Sequence, residues 1–363
     1  MASTNFINGV TVVQDTWLND VDECVYVTVP ALENDVINLQ GDVTQLQVDV
    51  PALDTALDNY IAATASASSL AFSRRMFADL REGLDAVYGA GAWTQRTGIG
   101  TGSDIGAALT YVLTNSPAGV PVHIPPGVWL MSTAPSAALL AGRHIFGTGS
   151  QNSKVVWNSA SGTPFNFTGH LGNTGGGITG LGIILEQNLG DTTAVAITLA
   201  GDATHQPDQI HFEDLYITAM GPTGAGSSYW NTCISANGTA RTVTQGIRVG
   251  TMKNIQCFRA HGLGALFWNT VQWSIENLGI YVSKGAGQNI YVGGGGTGPT
   301  NTTQFYARGL SCVAVNVTNA SKFEISGSFT SFETAVSATS GRVLGFGAAL
   351  VGTLGTNVVF TPA

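Results

Sequence analysis

Carboxylates are scarce in the second half of this chain, so their spacing is the first place to look for chemistry. Glu213, Asp214, Glu276, Glu324 and Glu333 lie nearest the strand-like segments, with Glu186, Asp191, Asp202 and Asp208 in or beside the preceding loops. Two carboxyl groups about 5 to 9.5 Å apart can cleave a glycosidic bond, one as general acid and the other as nucleophile or base. Glu213 with Asp214, and Glu276, form the best candidate set. Lys253 is expected between them, however, and a cation there opposes the raised pKa that a general acid needs. The sequence therefore assigns no catalytic residue.

Other reactive side chains give no stronger pattern. His205, His211 and His261 are scattered and read as structural. Cys24, Cys233, Cys257 and Cys312 show no paired metal-ligand spacing and are expected as buried, reduced thiols, so no metal or cofactor is predicted. The run from Gly293 to Gly298 lacks the Lys-Ser/Thr and helix of a phosphate loop and reads as a turn. Tyr229 and Trp230 fall in the Gly-, Ser- and Thr-rich stretch 221–245, read as a loop. Aromatic faces there could stack on sugar rings, or could instead cover a neighbouring strand or chain.

A degenerate repeat positions these groups. Ile178-Thr-Gly-Leu-Gly-Ile183 recurs as segments starting at Phe212, Met252, Ile275 and Ala307, and weakly at Ile325. The starts are 34, 40, 23, 32 and 18 residues apart, as in a solenoid with loops of variable length. The third position is Gly, Asp or Asn, residues that tolerate the left-handed backbone of a turn. A second short strand is expected at 195–199, 245–250, 288–293 and 314–317. Parallel stacking of the copies places Thr179, Glu213, Lys253, Glu276, Arg308 and Ser326 in one column, a surface ladder of alternating charge.

The most regular pattern lies further upstream. Leu32, Val36, Leu39, Val43, Leu46, Val50, Leu53, Leu57 and Tyr60 alternate at spacings of four and three, the seam of a coiled coil. Pro51 leaves open whether one helix or two stacked helices carry it. Val at one core position and Leu at the other favour two strands. A further helix is predicted over 73–88, with Met76, Phe77, Leu80, Leu84 and Val87 on one face, and a short one over 104–113 capped by Ser103 or Asp104.

Composition bounds the function. Only 10% of residues are charged and 47 are Gly, which suits a turn-rich β protein with a neutral surface. Thirteen of the 23 acids and only four bases fall in the first hundred residues, so that segment carries the whole net charge of −9. The neutral remainder has no field to attract nucleic acid or an anionic membrane. No apolar run reaches the roughly 20 residues of a membrane span, and the N-terminus lacks a secretory pattern.

Two groups of residues resemble a known family. Phe6-Ile-Asn-Gly-Val10 and Thr16-Trp-Leu-Asn-Asp-Val-Asp-Glu-Cys-Val-Tyr26 resemble the virion-attachment segment of tail fibres and tailspikes of short-tailed phages. Pro121-Val-His-Ile-Pro-Pro-Gly-Val-Trp-Leu130 and Ile145-Phe-Gly-Thr-Gly149 look like the opening coil of pectate-lyase-like β-helices. The segment 102–106 departs from the paired aspartates more usual there. The resemblance implies a mainly β protein, a right-handed parallel β-helix preceded by an α-helical coiled-coil stalk, assembled as a homotrimer. Residues 1–28 would attach to the tail through Phe6, Trp17, Leu18, Asn19 and Asp20, 29–72 would form the stalk, 73–120 a helical neck and cap, and 121–363 the β-helix. The chain's end at Ala363 leaves no large C-terminal recognition or chaperone domain in this expectation. The role implied is adsorption to a bacterial surface, in a virion assembled in the host cytoplasm. The partners would be further copies, tail or adaptor proteins, and a surface glycan or another fibre protein. A polysaccharide depolymerase and an adaptor carrying a separate receptor-binding protein are the alternatives.

Overall fold

A single helix, Val29–Thr64, runs unbroken through Pro51. In the computed structural model the described residues are 5–7, 10–12, 29–64, 76–168, 175–200, 208–221, 227–238, 247–281, 284–294, 302–334 and 337–362, with side chains of this helix described through Leu53. Gln45 reaches one turn on to the Asp49 carboxylate at 2.8 Å. Two short strands, Asn5–Ile7 and Val10–Val12, pair antiparallel. These elements belong to one unit, Met1–Leu70, and the remainder to a second, Ala71–Ala363.

The second unit is built almost wholly of parallel strands, an arrangement consistent with a parallel β-helix. The predicted copies stack in the predicted register as far as Arg308: Glu213 lies beside Thr179 and Lys253, Lys253 beside Glu276, and Glu276 beside Arg308, but the weak last copy slips by one residue after Ala307–Ile325, so that Gly327 meets Leu310 and Ser326 does not pair with Arg308. The strands are longer than the hexapeptides suggest. Asp208–Ala219, Ile247–Phe258 and Thr270–Tyr281 each span 12 residues, because the ladder continues across two bends. At one bend stand Gly180, Asp214, Asn254, Asn277 and Gly309, with φ of 61°, 52°, 54°, 58° and 67°. This is the left-handed turn that the repeat's third position implies. At the other stand Gln209, Val249, Gln272, Gln304, Lys322, Ser340 and Asn357, with φ between 49° and 60°.

Each coil therefore has three sides. A first face lies between the two bends, for example 250–253, and a second follows the Asx/Gly bend, for example 255–258. The third is a separate sheet that includes Val195–Ala200, Ser228–Asn237, Ala260–Trp268, Asn289–Gly293 and Ala314–Val317. The expected second strands at 195–199, 288–293 and 314–317 fall there. Residues 245–250 do not, since 247–250 open the long strand that also contains the hexapeptide. Strands Ser228–Asn237 and Ala260–Trp268 take the place expected for it.

Alternate side chains point inward and fill the solenoid with large apolar groups. Phe212, Trp273, Phe305 and Phe323 from the first face meet Phe167, Phe267 and Phe332 from the third, all buried. Phe267 lies 5.4 Å from Trp273 and 5.1 Å from Phe305, centroid to centroid. Cys233 and Cys257 are buried here as free thiols, and Cys312 is half-buried, its thiol pushed up to about 12 by burial.

The helix Ile105–Asn115 covers apolar side chains at the N-terminal end, with Ile105, Ala108, Leu109, Val112 and Leu113 buried. Asp104 caps it, accepting from the backbone N–H of Gly106 at 2.9 Å and of Ser132 at 3.0 Å, and so joins the helix to the first coils. Arg143 donates to the carbonyls of Leu113 and Ser116 at the helix end. Arg96 holds the buried Glu186 through two hydrogen bonds of 2.7 Å. Burial pushes the Glu186 carboxyl up, but the Arg96 and backbone hydrogen bonds outweigh it and leave the pKa below the usual value.

The expected helix over 73–88 begins only at Leu80, with 73–75 outside the described residues. Ala78–Asp79 pairs as a strand with Val122–His123, and the Asp79 side chain caps the helix by accepting from Arg81 N–H. Met76 is exposed, and Phe77 packs edge-on against His123 and Phe146. Asp85 Oδ1 accepts hydrogen bonds from Trp93 Nε1 and the Gly91 N–H.

Val249 is the β-branched residue in the left-handed column, at φ 49° and 39% exposed. Val249→Asn should raise stability by about 1 kcal/mol, because it relieves strain without emptying the core. A urea-unfolding midpoint unchanged or lowered by this substitution would show that the bend is held by contacts instead.

Candidate functional site

The first face carries a column of charged groups on successive strands. Its outward positions include His211, Glu213, Lys253, Glu276, Arg308, Glu324 and Arg342, one or two per coil. Lys253 Nζ lies 3.5 Å from Glu213 Oε1, both side chains part-exposed, so the pair contributes at most about 1 kcal/mol. Among the described residues Glu276, Arg308, Glu324 and Arg342 stand in register or near it without forming ion pairs.

A small polar network sits at the N-terminal end of this face. His211 Nε2 is 3.3 Å from Glu213 Oε2, and its Nδ1 is 2.7 Å from Thr251 Oγ1. The His144 ring stacks on that of His211 at 6.4 Å, and its Nε2 is 3.0 Å from Thr179 Oγ1. Gly177 lies in register between the two histidines, so no side chain separates the rings. Burial first, and the charge of His211 second, lower the pKa of His144.

Of the three candidate acids, none pairs with another. Glu213 belongs to the network just described. Asp214, one residue on, sits at the bend, where its Oδ1 accepts from Asn254 Nδ2 at 3.1 Å and Asn254 Oδ1 accepts from Asn277 Nδ2 at 3.1 Å. It lines a groove of about 490 Å³ with Gln151, Asn152, Tyr216, Asn254 and Gln256. Glu276 lies two coils from Glu213, about 10 Å at the spacing of neighbouring strands, with Lys253 occupying the coil between. A second groove, about 370 Å³, has Glu324 as its one carboxylate, between Arg308 and Arg342. These arrangements can hydrogen-bond or ion-pair with a ligand, but they do not present the two carboxylates of glycoside hydrolysis.

Tyr229 and Trp230 lie on the strand Ser228–Asn237, not in a loop. Trp230 is fully buried and donates from Nε1 to the Thr218 carbonyl at 2.7 Å, so it cannot stack on a ligand. Tyr229 is half-buried, with Lys284 Nζ 5.5 Å from its ring centroid. Lys284 also meets Asp191 at 2.6 Å, and His261 nearby has Nε2 2.7 Å from the Thr192 carbonyl. The Asp191–Lys284 hydrogen bond lowers the pKa of the acid and raises that of the amine. Sequence reading missed this cluster, since its members are up to 93 residues apart and belong to different coils.

Phe6 lies in the N-terminal hairpin opposite Thr11, whereas Trp17, Leu18, Asn19 and Asp20 lie outside the described residues. Leu32, Val36, Leu39, Val43, Leu46, Val50 and Leu53 are all exposed, from 51% at Val36 to 68% at Leu53. The side chains of Leu57 and Tyr60 fall outside the described residues, as does His205. Among the described residues no cluster could hold a metal ion, and no helix is long and apolar enough to cross a membrane.

No protein-family model matches the chain, and no curated protein matches it. A solved structure, the catalytic unit of a thermostable GH87 alpha-1,3-glucanase from Streptomyces thermodiastaticus, is similar to it at 14% identity, covering 79% of this chain and 67% of that chain with a TM-score of 0.25. At that score the likeness carries no argument about activity.

The His144 environment sets a pH dependence. Its folded pKa is lowered, so the unfolded chain binds the proton more readily. The stabilising contribution is complete above about pH 6.5 and is lost as pH falls below it. Native protein should lose stability as pH falls below about 6.5, and His144→Gln should flatten that part of the profile. An identical profile for the variant would assign the loss to other groups.

Proposed function

We propose that this chain is a structural protomer of a bacteriophage tail fibre or tailspike. Residues 1–28 attach it to the virion tail, the helix Val29–Thr64 joins three copies as a coiled-coil stalk, and a right-handed β-helix forms a rigid shaft for adsorption to the host surface. The observation that carries this reading is the exposed seam. Seven Leu and Val side chains at heptad spacing face solvent on one long helix, and burying each stabilises association by about 1.5 to 3 kcal/mol before entropy is counted. Ile37 and Val48, off the seam, are exposed as well and add apolar surface for a partner. Three strands rather than two is taken from the family resemblance, since the Val and Leu pattern alone favours two.

Electrostatics qualifies the stalk. The helix contains Glu33, Asp35, Asp42, Asp49, Asp54 and Asp58 and no basic residue, so parallel copies bring like charges together. Salt screens that repulsion. Docking of the same acidic segment into a basic socket on the tail would respond in the opposite way and weaken with salt.

Light scattering on the full chain should give the mass of a trimer, with Leu39→Asp/Leu46→Asp reduced to a monomer whose β-sheet circular dichroism is unchanged. Raising the ionic strength should strengthen self-association. A monomeric native chain would remove the stalk and, with it, the fibre reading. Antibody raised against the chain should decorate virion tails in electron micrographs; decoration elsewhere would be equally decisive against it.

A further inference from the structure

The three sides of the solenoid differ in charge. Glu213, Lys253, Glu276, Arg308, Glu324 and Arg342 all lie on the first face. From Gly182 to Phe346 the second face carries no Asp, Glu, Lys or Arg, and on the strands of the third sheet the described ones are Glu333 and Asp191, the latter ion-paired with Lys284. These two sides are not merely polar. On the second face the rings of Tyr216, Phe258 and Tyr281 form a ladder with centroid spacings of 5.2 Å. On the third, Trp268 stacks on Tyr291 at 5.7 Å, and both are half-buried.

Symmetry decides which sides can meet. Copies arranged about an axis parallel to the solenoid place equal heights of the chain side by side. A charged face turned towards that axis would bring each Glu213 against Glu213 and each Lys253 against Lys253, with no register shift to relieve it. The alternating ladder is thus self-repelling in a parallel assembly, whereas the two sparsely charged sides carry less of that cost, since Asp191 is already neutralised by Lys284 of the same chain. A cyclic trimer needs two different patches on each chain, one for each neighbour. This chain has two sparsely charged sides and one densely charged side.

We propose that the second face and the third sheet form the contact between copies of this chain, leaving the charged first face on the outside of the assembly. This rests on the stalk reading, which sets the copies parallel. It places the grooved, titratable surface with His144, His211 and Glu324 where a host or tail component could reach it. It also covers the exposed surface of Tyr281 and Phe346.

Hydroxyl-radical footprinting of the full chain tests it. In a single chain Tyr281 is 37% exposed and Phe346 51%, much like Tyr306 on the charged face at 45%. In the native protein Tyr281 and Phe346 should be modified several-fold more slowly than Tyr306. In full-length Leu39→Asp/Leu46→Asp the three rates should converge. Light scattering on the same samples separates the two ideas. A trimer in which Tyr281 and Phe346 react as readily as Tyr306, or in which Tyr306 is the protected residue, overturns the face assignment alone and frees the aromatic ladder for a different ligand. A monomeric native protein overturns both.

Discussion

Everything in the solenoid depends on two backbone corners falling at the same place in successive coils. A left-handed residue turns the chain without ending the sheet, so the hydrogen-bond ladder passes round the corner from Ile210–Glu213 to Leu215–Ile217 and onward. Because each corner stacks on the next, a slip of one residue would move Phe212, Met252 or Ile275 from the interior to the surface. The Asp214–Asn254–Asn277 hydrogen-bond chain reinforces the alignment, and Gly309 continues the column where an Asn277 oxygen leaves no room for a Cβ.

That constraint explains what the residues disclose and what they hide. The Asx/Gly corner was legible because those residue types prefer the left-handed region, and with it came the register of the charged ladder. The other corner was not, because Gln209, Val249, Gln272, Gln304 and Lys322 are not types associated with that backbone. Missing it made a continuous strand look like separate pieces and sent 245–250 to the wrong side. The Gly and Ser content around Tyr229 suggests a loop, yet Trp230, Thr232 and Ile234 point inward at every second residue, the period of a strand. The helix near residue 80 was overextended because Met76 and Phe77 fit its apolar stripe, while pairing of Ala78 with Val122 overrides that local preference.

The site was legible in outline only. Column membership followed from the repeat, so the placement of Lys253 between Glu213 and Glu276 could be anticipated. The divergence of Glu213 and Asp214 could not be read from their adjacency, since it depends on which of them occupies the bend. Contacts such as Lys284 with Asp191 join coils through long sequence separations and leave no local pattern at all.

The corner between the third sheet and the next coil has a different character. Between Trp268 and Thr270 it is made by Asn269 alone, at φ 53°, whereas nine residues, 238–246, separate Asn237 from Ile247 one coil earlier. The flanking strands align with their neighbours in both cases. Excursion length at this corner is therefore decoupled from the scaffold: segments can be lengthened, shortened or exchanged there while the stacked strands keep their partners. Change in what the loops touch is thereby separated from the maintenance of the fold.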